Sequence, residues 1–200
     1  MKAKEYLLYL GLPGLVSAAS LLAAWFAIIF LIQGDLKVSV ICAVAAFGLD
    51  MLDGFTARKL NKATEIGRQL DGMIDFVNYS VYSALLCWLV LMPGMLGAWV
   101  GFFVLLSGAL RLVRFNSEGY VEGAGVQYYR GVVTCHLSLA TVVLLLILQH
   151  IEIAQWFMAV ILITLAAGQL SSIKTRKTGL IPVWVLLGIL LIIGAIVWLP

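Results

Sequence analysis

Long apolar runs separated by short polar breaks form the main pattern of this chain. The breaks fall at QGDLK, RKLNKATEIGR, MPGM, RFNSEGYVEGAGVQYYR, QHIEIAQ and SSIKTRKTG. Because a transmembrane helix needs about 20 apolar residues, the pattern predicts seven membrane spans. We expect them near 11–33, 37–58, 66–91, 95–115, 130–149, 153–170 and 180–199. The predicted fold is an all-α polytopic membrane helix bundle, with residues 1–200 as a single integral membrane domain.

Composition agrees with this pattern. Hydrophobic residues make up 63% of the chain and charged residues 12%, whereas soluble domains are about half apolar and about a quarter charged. A water-soluble globular protein is therefore excluded. Apolar sequence continues without a break to Phe30, so we expect a retained first span rather than a cleaved signal peptide.

Basic residues lie almost entirely on one side of the predicted bundle. With the N-terminus in the cytoplasm, all of the 13 Lys and Arg residues except Lys37 fall at the cytoplasmic ends. Cytoplasmic loops of membrane proteins carry such an excess of positive charge. The sequence therefore predicts that the N-terminus and the second, fourth and sixth breaks are cytoplasmic.

Four aspartates fall inside predicted spans, where a charge is costly unless it has a partner or a function. Asp50 and Asp53 are three residues apart on the second span, and Asp71 and Asp75 are four apart on the third. Residues at these spacings share one face of a helix. A short turn between the spans makes them antiparallel, so we expect the four carboxylates to converge near the cytoplasmic end.

Converging carboxylates need cations, and an oxygen-only set favours hard ions such as Mg²⁺, Mn²⁺ or Ca²⁺. Gly54 and Ala57 beside the aspartates leave room for a bulky ligand, and Arg58 offers a fork suited to phosphate oxygens. The pattern indicates metal-bound phosphates as the ligand. Two alternatives remain open at this point, namely a buried ion cluster that only fixes two helices and a cation or proton transporter.

The run from Asp50 to Asp75 fits the pattern D-x₂-D-G-x₂-A-R-x₈-G-x₃-D-x₃-D. It resembles the signature of the CDP-alcohol phosphotransferase family, whose members displace CMP from a CDP-linked lipid or alcohol. All eight fixed positions match. They are Asp50, Asp53, Gly54, Ala57, Arg58, Gly67, Asp71 and Asp75.

The resemblance implies a six-span core with a seventh C-terminal span, a homodimer in a prokaryotic inner or plasma membrane, and no nucleic-acid partner. It implies two divalent cations, Mg²⁺ or Mn²⁺ with Ca²⁺ possible, held by the motif aspartates, with Asp75 also acting as general base. The expected CDP-lipid contacts are Asp50, Asp53, Gly54, Ala57, Arg58, Gly67 and Asp71.

The run RLVRFN, residues 111–116, is similar to a segment of the phosphatidylserine synthases in this family. Serine carries a carboxylate, which an arginine fork can bind. Serine is therefore the leading acceptor for a phosphatidyl group from CDP-diacylglycerol, while glycerol phosphate, inositol phosphate and choline remain open. The candidate acceptor-binding residues are Arg111, Arg114, Asn116 and Arg130.

Overall fold

A computed structural model describes the backbone of residues 3–59, 65–123, 126–176 and 181–199, and the side chains of 14–52, 69–120, 128–175 and 183–199. Within these ranges, seven helical rods follow one another. The third rod, called the third span below, consists of four consecutive segments: α3, the π-helical segment π1, α4 and the π-helical segment π2. The helices are α1 Ala3–Gln33, α2 Leu36–Lys59, α3 Glu65–Asp75, π1 Phe76–Val81, α4 Tyr82–Leu86, π2 Cys87–Leu91, α5 Met95–Glu118, α6 Thr134–Leu148, α7 Gln155–Leu170 and α8 Ile181–Trp198.

The all-α membrane bundle expected from the apolar runs is confirmed. Among the described residues, three helical stretches are long and apolar enough to cross a membrane, namely Gly14–Gln33, Gln69–Leu91 and Met95–Glu118. Shorter apolar helices correspond to the last three predicted spans. Large apolar side chains face outward, as with Trp99 (58% exposed), which suits contact with lipid.

Local sequence explains the tight turn between α1 and α2. Gly34 has a φ of +84°, a conformation that glycine adopts without steric cost. The Asp35 side chain then accepts a hydrogen bond from the Val38 amide (3.1 Å), which caps the new helix. The two helices therefore run antiparallel and pack along their length.

Close packing of α5 against the third span depends on a small residue. A Cβ atom at Gly101 would lie 2.8 Å from the Ala84 carbonyl oxygen, closer than real side chains allow. Small residues let membrane helices approach in this way. The interface continues into a core of buried apolar side chains that includes Leu86, Val104 and Leu145.

A small antiparallel sheet, which the sequence reading treated as polar loops, lies at one end of the bundle. Its strands are β1 Val121–Gly123, β2 Val126–Arg130 and β3 Lys174–Arg176, in the order β1-β2-β3. β2 connects α5 to α6, and β3 follows α7. The sheet therefore joins the ends of α5, α6 and α7, and its strands contain Arg130, Lys174 and Arg176.

The fifth span begins later than predicted. The sequence predicts a start near residue 130, but β2 extends to Arg130 and α6 begins at Thr134. Gly131 has a φ of +75°, and a Cβ there would clash with the Gln169 carbonyl oxygen. This glycine lets the strand turn into the helix while passing close to the end of α7.

Candidate active site

Three carboxylates meet between α2 and α3. Asp50, Asp71 and Asp75 each place one oxygen within 4.8 Å of the others. Oδ1 of Asp75 is buried and accepts no hydrogen bond from the described residues. Because like charges at this separation repel strongly, the arrangement favours a bound cation. We refer to these three residues as the aspartate cluster.

Helix geometry accounts for the cluster. Asp71 and Asp75 lie one turn apart on α3 and so share a face, while Asp50 comes from the antiparallel α2. Directly after Asp75 the helix becomes π-helical. π-Helical hydrogen bonds run from i to i+5, so the side chains that follow are rotated away from the α-helical register.

The donor set suits a hard divalent cation. Within the described part of the chain the group contains only carboxylate ligands, which are typical of Mg²⁺, Mn²⁺ and Ca²⁺ sites rather than zinc sites. Oδ1 of Asp75 is in addition a buried acceptor without a hydrogen-bond partner among the described residues. The residues present therefore fit the cations that the sequence predicts.

Several predicted site residues lie outside the described side chains. Asp53, Gly54, Ala57 and Arg58 continue along α2, and Gly67 lies in α3, but nothing beyond their backbone is described. Their predicted roles in binding metal and the CDP-lipid stay predictions.

Arg111 is an acceptor candidate whose charge interacts with a member of the aspartate cluster. Its side chain is only 4% exposed, and its charge interacts with Asp75. One terminal nitrogen donates to Thr134 Oγ1 (2.9 Å), whereas the buried Nε has no partner among the described residues. The guanidinium lies 5.8 Å from the Phe115 ring centre and 5.6 Å from that of Tyr129.

Tyr129 on β2 is a neutral neighbour for this arginine. Burial raises the pKa of its hydroxyl, and contact with Tyr120 raises that pKa further. The phenol therefore stays protonated at neutral pH and presents its ring to Arg111, an attractive arrangement for a cation. The sheet thus supplies one wall of the Arg111 environment.

Arg114, one turn further along α5, is hydrogen-bonded to the backbone of two neighbouring elements. Its terminal nitrogens donate to the carbonyl oxygens of Leu170 (3.0 Å), Arg130 (3.0 Å) and Gln169 (2.8 Å). Those carbonyls belong to the end of α7 and the end of β2. The guanidinium thus ties α5 to two neighbouring elements and satisfies the open carbonyls at a helix C-terminus.

The other two acceptor candidates lie near the surface. Arg130 forms an ion pair with Glu118 at 3.1 Å, and both side chains are nearly half exposed. Asn116 is exposed as well, but its amide lies over α3, where Nδ2 would be 3.4 Å from a Cβ at Gly72. Gly72 directly follows Asp71, so Asn116 lies beside the cluster while Arg130 belongs to the sheet.

Tyr79 is a site residue that sequence reasoning missed. Its hydroxyl donates a 2.6 Å hydrogen bond to Oδ2 of Asp50, and its side chain is 6% exposed. The residue lies four positions after Asp75, the same spacing that identified the aspartates. The sequence feature that could have identified Tyr79 is therefore a side chain with a polar hydroxyl four residues after Asp75.

Comparison with known proteins gives a consistent set of relatives. The sequence model of the family described as CDP-alcohol phosphatidyltransferase matches residues 10–167. CDP-diacylglycerol–serine O-phosphatidyltransferase of Mycobacterium tuberculosis is 37% identical over 111 residues, covering 53% of this chain and 37% of the relative. The enzyme of that name from Bacillus subtilis is 28% identical over 109 residues (54% of this chain, 62% of the relative).

An archaeal relative extends this set. Archaetidylserine synthase of Methanothermobacter thermautotrophicus is 29% identical over 119 residues, which cover 58% of this chain and 51% of the relative. In each of these three comparisons the match spans less than two thirds of the relative's length. The names of all three contain serine as part of the reaction or product.

Proposed function

The chain belongs to the CDP-alcohol phosphatidyltransferase family, and from this premise we propose that it transfers a phosphatidyl group from CDP-diacylglycerol to L-serine. The products would be phosphatidylserine and CMP. The serine-using relatives support this acceptor, and the helical bundle supports a membrane-bound lipid substrate. Glycerol phosphate, inositol phosphate and choline are the competing acceptors.

The observation that carries the proposal is the aspartate cluster. Three carboxylates lie within 4.8 Å of one another in a mostly apolar bundle. A purely structural cluster would pair acids with bases, yet the buried Oδ1 of Asp75 has no partner among the described residues. A buried carboxylate oxygen without a hydrogen-bond partner, beside two further carboxylates, is suited to metal-dependent phosphoryl chemistry.

We infer that Asp50, Asp53 and Asp71 hold two divalent cations, Mg²⁺ or Mn²⁺, and that Asp75 contributes to the same site. Bound cations would neutralise the pyrophosphate and the charge that develops on departing CMP. Gly54, Ala57, Arg58 and Gly67 would line the nucleotide, with the Arg58 fork directed at phosphate oxygens.

Asp75 is the proposed general base. Its carboxylate would accept the proton of the serine hydroxyl while that oxygen forms a bond to the phosphorus atom bearing diacylglycerol. The bond from this phosphorus to the CMP oxygen breaks, and CMP leaves with the electron pair. The unpaired Oδ1 of Asp75 is the atom best suited to take the proton.

Arg111 is the proposed contact for the serine carboxylate. A carboxylate accepts hydrogen bonds from a guanidinium fork, and Nε of Arg111 is buried without a partner among the described residues. Its closeness to Asp75 would bring the serine hydroxyl near the base. We propose Arg114 as a structural residue instead, because its terminal nitrogens already donate to three carbonyls.

The topology remains part of the proposal. We propose a homodimer, as the family resemblance implies, whose site opens toward the cytoplasm of a prokaryotic cell, since all Lys and Arg residues except Lys37 fall at the predicted cytoplasmic ends of the spans. CDP-diacylglycerol would then reach the site from the cytoplasmic leaflet, and serine from the aqueous side.

An acceptor panel tests the function. The purified protein receives CDP-diacylglycerol and Mn²⁺ with serine, glycerol phosphate, inositol phosphate or choline, and the lipid product is identified by its mass. We expect phosphatidylserine as the main product. A different phospholipid would replace serine as acceptor but keep the reaction class, whereas the absence of CMP release with every alcohol would favour the transporter alternative.

A further inference from the structure

A ring column connects the aspartate cluster to the seventh span. The Tyr79 ring packs edge-on against Phe47 of α2 (6.1 Å between ring centres), and Phe47 packs edge-on against Trp184 of α8 (5.9 Å). His136 of α6 also lies against Trp184 (5.4 Å between ring centres). We call Tyr79, Phe47 and Trp184 the ring column.

At its Tyr79 end, the ring column contacts the aspartate cluster through a hydrogen bond rather than through apolar packing. The Tyr79 hydroxyl donates to Oδ2 of Asp50 at 2.6 Å, a short distance typical of a bond to a charged acceptor. Residues that hydrogen-bond a metal-binding carboxylate fix its orientation, and their loss typically weakens metal binding about 10–100-fold. Tyr79 is therefore in the position of such a supporting residue.

We propose that Tyr79 is a positioning residue that orients the Asp50 carboxylate within the aspartate cluster, and that Phe47 and Trp184 hold the Tyr79 ring in place. The seventh span, α8, then supports the site through Trp184 although we assign it no metal ligand. This inference rests on the proposed metal site.

The helix geometry supports a specific role for Tyr79. The residue lies in the π-helical segment Phe76–Val81, immediately after Asp75. π-Helical turns inside longer helices frequently occur at functional sites. Here the altered register accompanies a tyrosine that reaches across to Asp50 on α2, so the local backbone and the hydrogen bond are parts of one arrangement.

Tyr82 on the same span provides a matched comparison. It is also buried (1% exposed), but its hydroxyl pairs with Ser39 Oγ (3.1 Å), and Ser39 donates to the Ala27 carbonyl (2.8 Å). Removing either hydroxyl takes away one side-chain hydrogen bond. Only Tyr79→Phe removes a bond to a member of the aspartate cluster.

Manganese titration of the purified full-length protein, followed by the EPR signal of free Mn²⁺, tests the hydroxyl. We expect wild-type binding, its loss in Asp71→Asn, a dissociation constant raised about 10–100-fold in Tyr79→Phe, and no change in Tyr82→Phe. At saturating Mn²⁺, Tyr79→Phe should recover most of its turnover with an unchanged KM for CDP-diacylglycerol.

A double-mutant cycle tests the column. Trp184→Leu should weaken Mn²⁺ binding in the wild-type background but have no further effect when Tyr79 is already Phe, because Trp184 acts through the hydroxyl. Trp198→Leu is the control, since that tryptophan lies on the same helix against His150. It should leave Mn²⁺ affinity unchanged.

Two results would overturn the inference while the metal site stands. One is wild-type Mn²⁺ affinity in Tyr79→Phe, and the other is an equal loss in Tyr79→Phe and Tyr82→Phe. Additive effects of Tyr79→Phe and Trp184→Leu would remove the seventh span from the arrangement. Failure of the metal site itself has a different signature, namely Asp71→Asn binding Mn²⁺ like the wild type, and it overturns both proposals.

Discussion

The third span carries two polar regions that differ in how completely their groups are paired. In its later part, Tyr82 pairs with Ser39 and Ser83 accepts a hydrogen bond from Thr141 (3.3 Å). In its earlier part, Oδ1 of Asp75, Oδ1 of Asn78 and Oγ of Ser80 are buried without a partner among the described residues. Both regions belong to one continuous helical rod.

The difference in pairing distinguishes a region that stabilises the fold from a region that belongs to the candidate site. Burying a polar group costs free energy unless a hydrogen bond compensates it, and charged groups within membranes are costly without partners or function. The paired later region holds α2, the third span and α6 together. The earlier region keeps buried oxygens without hydrogen-bond partners among the described residues, and the proposed cations would supply a partner for Asp75.

The largest expected effect comes from removing a member of the aspartate cluster. Asp71→Ala should reduce CMP release below detection while the protein still elutes as a folded species, because the cations that neutralise the pyrophosphate would be lost. A strong chelator of divalent ions should do the same to the wild type. Full activity in the chelator would contradict the metal-dependent account.

The next largest effect distinguishes Asp75, the proposed general base, from the residues proposed only as metal ligands. Asp75→Asn keeps the shape of the side chain and one oxygen but cannot accept the serine proton, so turnover should fall about 10²–10⁴-fold. Binding of CDP-diacylglycerol, measured by calorimetry, should persist. A near-normal rate would show that another group takes the proton.

A smaller and more selective effect is expected at Arg111. Arg111→Lys keeps the charge but loses the planar fork, and at about 1.5–3 kcal/mol for a hydrogen bond to a charged group the KM for serine should rise roughly 10–100-fold. Steady-state kinetics should show little change in the KM for CDP-diacylglycerol. Arg130→Lys is the matched control, and an equal response in both variants would remove Arg111 from the acceptor site.

The smallest effect on the reaction is expected at Arg114. Arg114→Lys loses the bonds that tie α5 to α7 and β2, which should lower the free energy of unfolding by about 1–2 kcal/mol, seen as a reduced Tm in detergent. The KM for serine should stay the same. A raised KM at unchanged Tm would instead make Arg114 the acceptor contact.

Much of the fold and part of the site could be predicted from the sequence, because both depend on local spacing. Apolar runs identified the spans, and the four-residue spacing of Asp71 and Asp75 predicted their shared face. The sheet was missed because two of its strands have three residues each and β3 lies far along the chain from β2. Short strands of this kind leave no periodic signal.

The remaining details depend on neighbours that spacing cannot identify. Arg111 and Arg114 are three residues apart on one helix, yet one lies near Asp75 and the other donates to the end of α7. Likewise, Tyr79 lies in the π-helical segment after Asp75, and its hydroxyl reaches Asp50 on another helix. Such distinctions come from tertiary packing.

The most direct test of the central claim measures both products of one reaction. Wild-type protein and Asp71→Asn are incubated with CDP-diacylglycerol, Mn²⁺ and ¹³C-labelled serine, and CMP and labelled phosphatidylserine are quantified together. The account predicts equal amounts of the two products from the wild type and neither from Asp71→Asn. Equal CMP release by both proteins, or CMP without labelled lipid, would contradict it.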